Sequence, residues 1–240
     1  GPIAGGEPLG GGCIGSVFRI HTVGGTTLVC KTLADAPDGM FAGEAAGLAA
    51  LGDGAGPRVP RVLAYDAAHI LLEDLPPGPR RDDYWERFGR ELAALHARRA
   101  EAFGFDRDTF CGATRQPNTA RRDDGHAFYA EHRFGFQARL AEHRGLLDAA
   151  DRRRVERLGA RLGDLVPPHG PSLLHGDLWS GNAHVAPDGA PAVIDPACYH
   201  GWSEAELAMT RLFGGFPDTF YRAYQEAGDI AADWRDRVDL

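Results

Sequence analysis

Residues Pro76-Pro77-Gly78-Pro79 divide the chain more sharply than any other stretch of it. Three prolines in four positions admit neither a helix interior nor a central strand, because each ring fixes φ and removes an amide donor. The patterning differs on the two sides of this break. Before it, Ser16 to Thr22 and Thr26 to Leu33 read as strands joined through the turn signal Gly24-Gly25. Residues 39–51 carry a helical period through Phe41, Ala45, Leu48 and Leu51, and Val62–Asp66 and Ile70–Leu75 fit two further strands. After it, Trp85, Phe88, Leu92 and Leu95 step by three or four along one helical stripe. Residues 126–146 and 149–165 also read as helices, and the charged run Asp151–Arg154 in the second fits a solvated face. The chain returns to short strands between about 165 and 201. Helices resume at Ser203–Phe213 and Asp218–Ala227, parted by Gly214-Gly215. The expectation is an α+β, two-lobed fold: residues 1–75 form a small strand-rich lobe, 76–240 a larger helical one, with a cleft at the linker.

The net charge of −8 argues against non-specific binding to nucleic acid or to an anionic membrane, both of which need a basic face. No apolar run reaches the roughly 20 residues of a membrane span, and the start has no signal-peptide pattern. Cys13, Cys30, Cys111 and Cys198 lie far apart, which argues against a disulfide framework or a zinc site and makes the cytoplasm the expected compartment. One compositional feature is more informative. Among 26 Lys and Arg residues, Lys31 is the only lysine. In a chain that otherwise uses arginine, that position calls for a compact ammonium.

Gly10, Gly12 and Gly15 open the stretch Gly10–Val17, which satisfies G-x-G-x-x-G-x-V. A strand follows, and then a second strand, so the context is a glycine hairpin over phosphates rather than a dinucleotide-binding turn before a helix. Lys31 shares a face of the second strand with Val29 and Leu33 and therefore needs an anionic partner. Glu44, on the same helix side as Leu48 and Leu51, is the candidate. The strongest signal is His175-Gly176-Asp177-Leu178-Trp179-Ser180-Gly181-Asn182, followed by Ile194-Asp195. Asp177 and Asn182 keep the five-residue spacing of a kinase catalytic loop. Asp177 is placed to accept a hydroxyl proton, and Asn182 and Asp195 to hold a metal ion. His175 reads as a loop brace, and His96 as a satisfied structural histidine.

These stretches, with Pro8–Ser16, Met40–Leu48, Gly201–Met209 and Phe213–Phe216, resemble the fructosamine/ketosamine-3-kinase family, relatives of aminoglycoside phosphotransferases and choline kinases. The resemblance implies a protein-kinase-like fold, ATP and Mg²⁺ as cofactors, and phosphate transfer to the 3-hydroxyl of a ketosamine, which then releases its amine. Under it, Glu73, Asp74 and Leu75 are expected at adenine through their backbone, and Trp179 against the sugar. Glu204 and Glu206 are expected near the substrate amine, although Glu204 equally fits a helix-capping role. Asp195-Pro196-Ala197 departs from the D-F-G of protein kinases. The resemblance implies further helices after Leu240, so part of the pocket wall is expected outside this sequence, as is any N-terminal helix before the first strand. Cys13, inside the glycine hairpin, is a candidate for oxidation. The alternatives are a kinase for an aminoglycoside or choline-like hydroxyl, or a nucleotide-binding pseudokinase. The latter would lack one of Lys31, Asp177 or Asn182, and all are present. A monomer or weak dimer is expected.

Overall fold

The computed structural model describes residues 1–10 and 15–240. Gly12 and Cys13, singled out above, lie outside the described residues. The first lobe is an antiparallel sheet of β1 (Ile3–Leu9), β2 (Ser16–Thr22), β3 (Thr27–Thr32), β4 (Val62–Tyr65) and β5 (His69–Glu73), in the order β1-β2-β3-β5-β4. Helix α1 (Met40–Gly52) buries Phe41, Ala45 and Leu48 against Ile70 and Leu72 of β5. Strand β1 was not legible: Gly5, Gly6 and Pro8 interrupt its alternation. It is tolerated because it forms the sheet edge and pairs only with β2.

The second lobe is built on α2 (Tyr84–His96) packed against α8 (Asp218–Ala227). Phe88 and Phe220 are fully buried where these helices meet, edge to face at 5.5 Å, with Trp85 and Phe216 completing the cluster. The close approach needs Gly89, where a Cβ would stand 2.3 Å from the Phe220 carbonyl oxygen. Between the two helices run a hairpin of β6 (Thr109–Cys111) and β7 (Thr114–Gln116), then α3 (Gly125–Phe128) and α4 (Phe136–His143). The latter pair is joined through a π-helical stretch, Tyr129–Gly135. The single helix expected at 126–146 is thus re-pitched in its middle and stops early, where Gly145 turns left-handed at φ 70°. Helices α5 (Ala149–Ala160) and α6 (Leu162–Leu165) follow, α5 capped by the Asp148 side chain.

Two short strand pairs carry the loops of interest. Strand β8 (Ser172–Leu174) pairs with β11 (Tyr199–Gly201), and β9 (Ala183–Val185) with β10 (Pro191–Val193). Helix α7 (Ser203–Met209) stops four residues before the expected end, Thr210 turning its hydroxyl back onto the Leu207 carbonyl at 2.7 Å. The Pro76–Pro79 linker docks on the second lobe: the Gly78 amide donates to the Ala186 carbonyl at 3.2 Å. Among the described residues no helix is long and apolar enough to cross a membrane.

Candidate active site

The catalytic-loop motif begins where β8 ends, so Leu173 and Leu174 are buried strand residues, and His175, the first residue beyond the strand, is still fully buried. Gly176 makes the turn at φ 83°, with its Cα so close to Ala197 that a Cβ would stand 2.1 Å from that carbonyl oxygen. The loop is braced from three directions. His175 Nε2 pairs with the Ile194 carbonyl at 2.8 Å, and its Nδ1 accepts the Asp177 amide at 3.3 Å. Leu178 is fully buried. From α7, the Glu206 carboxylate accepts the amides of His175 at 2.9 Å and Gly176 at 2.6 Å, and pairs with His96 Nε2 at 3.0 Å. His96 is completed by the Tyr224 hydroxyl at 2.8 Å, a fully satisfied structural histidine.

Asn182 and Asp195 are brought together by one hairpin. Asn182 immediately precedes β9 and Asp195 follows β10, and since Ala183 pairs with Val193 the two sit at its open end. The Ile194 amide closes that end on the Asn182 carbonyl at 3.1 Å. Asn182 in turn donates its side-chain amide to the Asp177 carbonyl at 2.7 Å and to the Asp177 carboxylate at 3.2 Å. Asp195 adopts φ 58°, and only Phe213, at φ 54°, joins it as a non-glycine residue at positive φ among the described residues. Each such position costs about 1–2 kcal/mol.

Lys31, the penultimate residue of β3, reaches across the cleft between the lobes. It is ion-paired with Glu44 of α1 and with Asp195, and only 15% of its side-chain surface is exposed. Burial favours the neutral amine, but the two carboxylates more than offset it and hold the ammonium above its ordinary range. At Asp177 burial dominates in the other direction. It lifts the carboxyl above the usual aspartate range, against hydrogen bonds from Cys111 and Asn182 and the nearby His175, while Asp195 adds to the lift. The Cys111 thiol, half-buried and facing that carboxylate, is pushed up to about 12 by that burial and the neighbouring charge.

Two cavities meet at these residues. One, about 490 Å³, is lined by Asp177, Trp179, Phe110, Phe213, Met40 and Glu44. The other, about 340 Å³, is lined by Gly10, Val29, Leu72, Glu73, Asp74 and Leu75. Val17, Lys31, Asn182 and Asp195 belong to both. Gly15 opens onto the first cavity and Gly10 onto the second. Of the linker-side groups, the Glu73 amide donates to the Arg61 carbonyl at 2.9 Å and the Leu75 carbonyl pairs with His184 Nε2 at 2.7 Å. The Glu73 side chain pairs with Arg58 and Arg61, and that of Asp74 with Arg19. Trp179 is a half-buried cavity wall, edge-on to Phe213 at 5.6 Å.

Two expectations are corrected. Glu204 lies outside both cavities, because Arg237 takes its carboxylate with two bonds of 2.8 Å. Glu206 is wholly buried and belongs to the loop's support rather than to a substrate amine. Burial alone would raise its carboxyl, but His96, His175 and the Gly176 amide hold it below the ordinary glutamate range. Sequence reasoning also missed the β6–β7 hairpin, which brings Phe110 and Cys111 to the cleft. The one signal for Glu206 was an acidic side chain amid the apolar positions of α7.

The donor set at the open end of the β9–β10 hairpin, a carboxylate and an amide side chain, offers hard oxygen atoms suited to Mg²⁺. Among the described residues no group of three His, Cys, Asp or Glu side chains forms a self-sufficient metal cage. Such a partial set fits an ion that completes its shell with phosphate oxygens and water.

Comparison with known proteins gives this geometry a family. The fructosamine kinase family model matches residues 2–240. A protein of Synechocystis designated a probable ketoamine kinase is 40% identical over 206 residues, 84% of this chain and 69% of the relative. A chloroplastic protein-ribulosamine 3-kinase of Oryza sativa subsp. indica is 38% identical over 247 residues, covering 99% of this chain and 71% of its own length. Among solved structures, one from Thermobifida fusca assigned as a fructosamine-3-kinase superposes with a TM-score of 0.88 at 38% identity, covering 98% of this chain and 83% of that one. A macrolide 2'-phosphotransferase from Brachybacterium faecium shares the fold alone, with a TM-score of 0.65 at 20% identity over 98% of this chain and 81% of that one. The match spans almost every residue, and the chain belongs to the fructosamine kinase family, phosphotransferases acting on a hydroxyl group, with a protein-kinase-like fold.

Proposed function

We propose that this chain transfers the γ-phosphoryl group of ATP, with Mg²⁺, to the 3-hydroxyl of a ketosamine such as a fructosamine or ribulosamine adduct. The observation that carries the reading is the shared waist of the two cavities. Lys31, Asn182 and Asp195 line both, whereas Asp177 lines only the larger. A nucleotide in the smaller cavity, with adenine near Glu73, Asp74 and Leu75, would bring its terminal phosphates to the waist. The acceptor then occupies the larger cavity beside Asp177 and Trp179.

In this reading Gly10, Gly15 and Lys31 hold the phosphates, and Glu44 holds Lys31 in place. Asn182 and Asp195 would hold Mg²⁺, which neutralises phosphate charge when bound. Asp177 orients the acceptor hydroxyl and takes its proton as the oxygen attacks the γ-phosphorus. The bond to the bridging oxygen breaks and ADP leaves. The 3-phosphorylated sugar then loses the amine without help from the protein, so the net result is deglycation. The lobe boundary falls at 75/76, and the setting is cytoplasmic, as a monomer or weak dimer, with no nucleic acid or membrane partner.

The test is ATP consumption with ribulose- and fructose-modified lysine, with detection of the sugar 3-phosphate. Asp177→Asn should lower kcat at least ~10²-fold while Mg·ATP still binds. Turnover of aminoglycosides or choline in place of either adduct, or undiminished turnover by Asp177→Asn, overturns the proposal.

A further inference from the structure

Phe213 is costly by every local measure. Its backbone is left-handed, at φ 54° and ψ 39°, although it carries a side chain, and 75% of its surface is exposed. The surrounding turn imposes this. Behind it, Thr210 holds the Leu207 carbonyl at 2.7 Å and the Tyr221 hydroxyl at 3.0 Å. Ahead of it, the Phe216 amide reaches the same hydroxyl at 3.3 Å, and the Phe216 ring is buried in the α2–α8 cluster. Both ends of the turn are tied to the core, and the strained residue is thrust outward. It points at the cleft, where its ring meets Trp179 at 5.6 Å and 73°. Backbone strain of this kind at a cavity mouth is a mark of a functional position.

The surroundings state the chemistry. Met40 from α1, Phe110 from β6, Trp179 and Phe213 reach the larger cavity from four separate elements, alongside the carboxylates of Asp177 and Asp195. Sugar hydroxyls need polar partners, and of these four side chains only Trp179, through its indole N–H, offers a donor. Aromatic faces do suit methylenes, rings and a cationic nitrogen.

We propose that Phe213, with Trp179, is a specificity-determining residue that grips the amine-bearing arm of the acceptor rather than its sugar. The inference rests on the ketosamine reading above and adds to it which part of the acceptor is read by the apolar collar. The preferred acceptors are adducts whose amine carries a long aliphatic or aromatic substituent.

The experiment compares two ribulose adducts that differ only in the amine, one made from benzylamine and one from ethanolamine. With Phe213→Gly, KM for the benzylamine adduct should rise on the order of tenfold at unchanged kcat. KM for the ethanolamine adduct should stay within about twofold. Phe213→Tyr should restore the benzylamine value. Because glycine adopts positive φ freely, the thermal midpoint of Phe213→Gly should not fall, which separates a binding effect from a folding one. Equal KM changes for both adducts, or none for either, overturn the role of Phe213 while leaving ketosamine phosphorylation standing. A wild-type enzyme silent on both adducts overturns the parent reading and this one with it.

Discussion

Glu206 holds Gly176 by its backbone: one carboxylate oxygen accepts the Gly176 amide at 2.6 Å, from a side chain with no exposed surface, thirty residues along the chain. The other oxygen serves His175 and His96. Glu206→Ala leaves two amides and an imidazole without their acceptor, and should cost about 3–5 kcal/mol in urea unfolding. The linkage has a definite sign. The folded carboxyl is depressed, so its stabilisation is fully present above the unfolded glutamate pKa and is lost as pH falls through the folded value. Glu206→Gln should therefore lose less stability than wild type as pH falls below the ordinary glutamate value of about 4.5.

Lys31→Arg should not substitute for lysine. The position accommodates one ammonium between Glu44 and Asp195, and a planar guanidinium is larger and directs its donors differently. We expect a loss of about 10²-fold in kcat/KM for the arginine variant. Steady-state kinetics set beside a thermal midpoint check it, and near wild-type kcat/KM refutes it.

In the proposed role Asp177 must be ionised to accept a proton, so its raised carboxyl should place the acid limb of kcat/KM above the ordinary aspartate pKa of about 3.9. The Cys111 thiol faces that carboxylate, an S–H donor that favours its charged form. Cys111→Ala removes this donor, so the limb should move to still higher pH. A pH–rate profile of the two enzymes decides, and a limb that stays put or moves down contradicts the expectation.

Gly176→Ala should fail at the level of folding. The new Cβ meets the Ala197 carbonyl oxygen at 2.1 Å, in a backbone conformation that L-residues avoid. The left-handed term alone is about 1–2 kcal/mol, and the clash adds to it. Denaturant midpoints of purified protein measure the sum. A midpoint equal to wild type would mean that the loop has a second accessible path.

What was legible in the sequence is what depends on local spacing. Lys31, Asp177, Asn182 and Asp195 announce themselves because a strand, a loop and a hairpin fix their separations along the chain, and their convergence follows from pairings such as Ala183 with Val193. Residues 218–227 matched their helix because apolar period and flanking glycine agreed there. The failures share a cause. Glu204 and Glu206 sit two apart on one helix, and only the packing of α7 sends one to Arg237 and the other under the catalytic loop. Strand β1 is defined by its partner rather than by its own residues, and the π-helical stretch by tertiary fit. Phe213 reads as an ordinary apolar residue at a helix end until its φ is known.

The lone lysine has a consequence for the chain's own chemistry. Reducing sugars attack unprotonated, accessible amines, and Lys31 is the single side-chain amine in 240 residues. It is enclosed between two lobes, with Glu44 and Asp195 keeping it protonated. A protein acting on sugar-modified amines thus offers glucose or ribose almost nothing on its own side chains to modify.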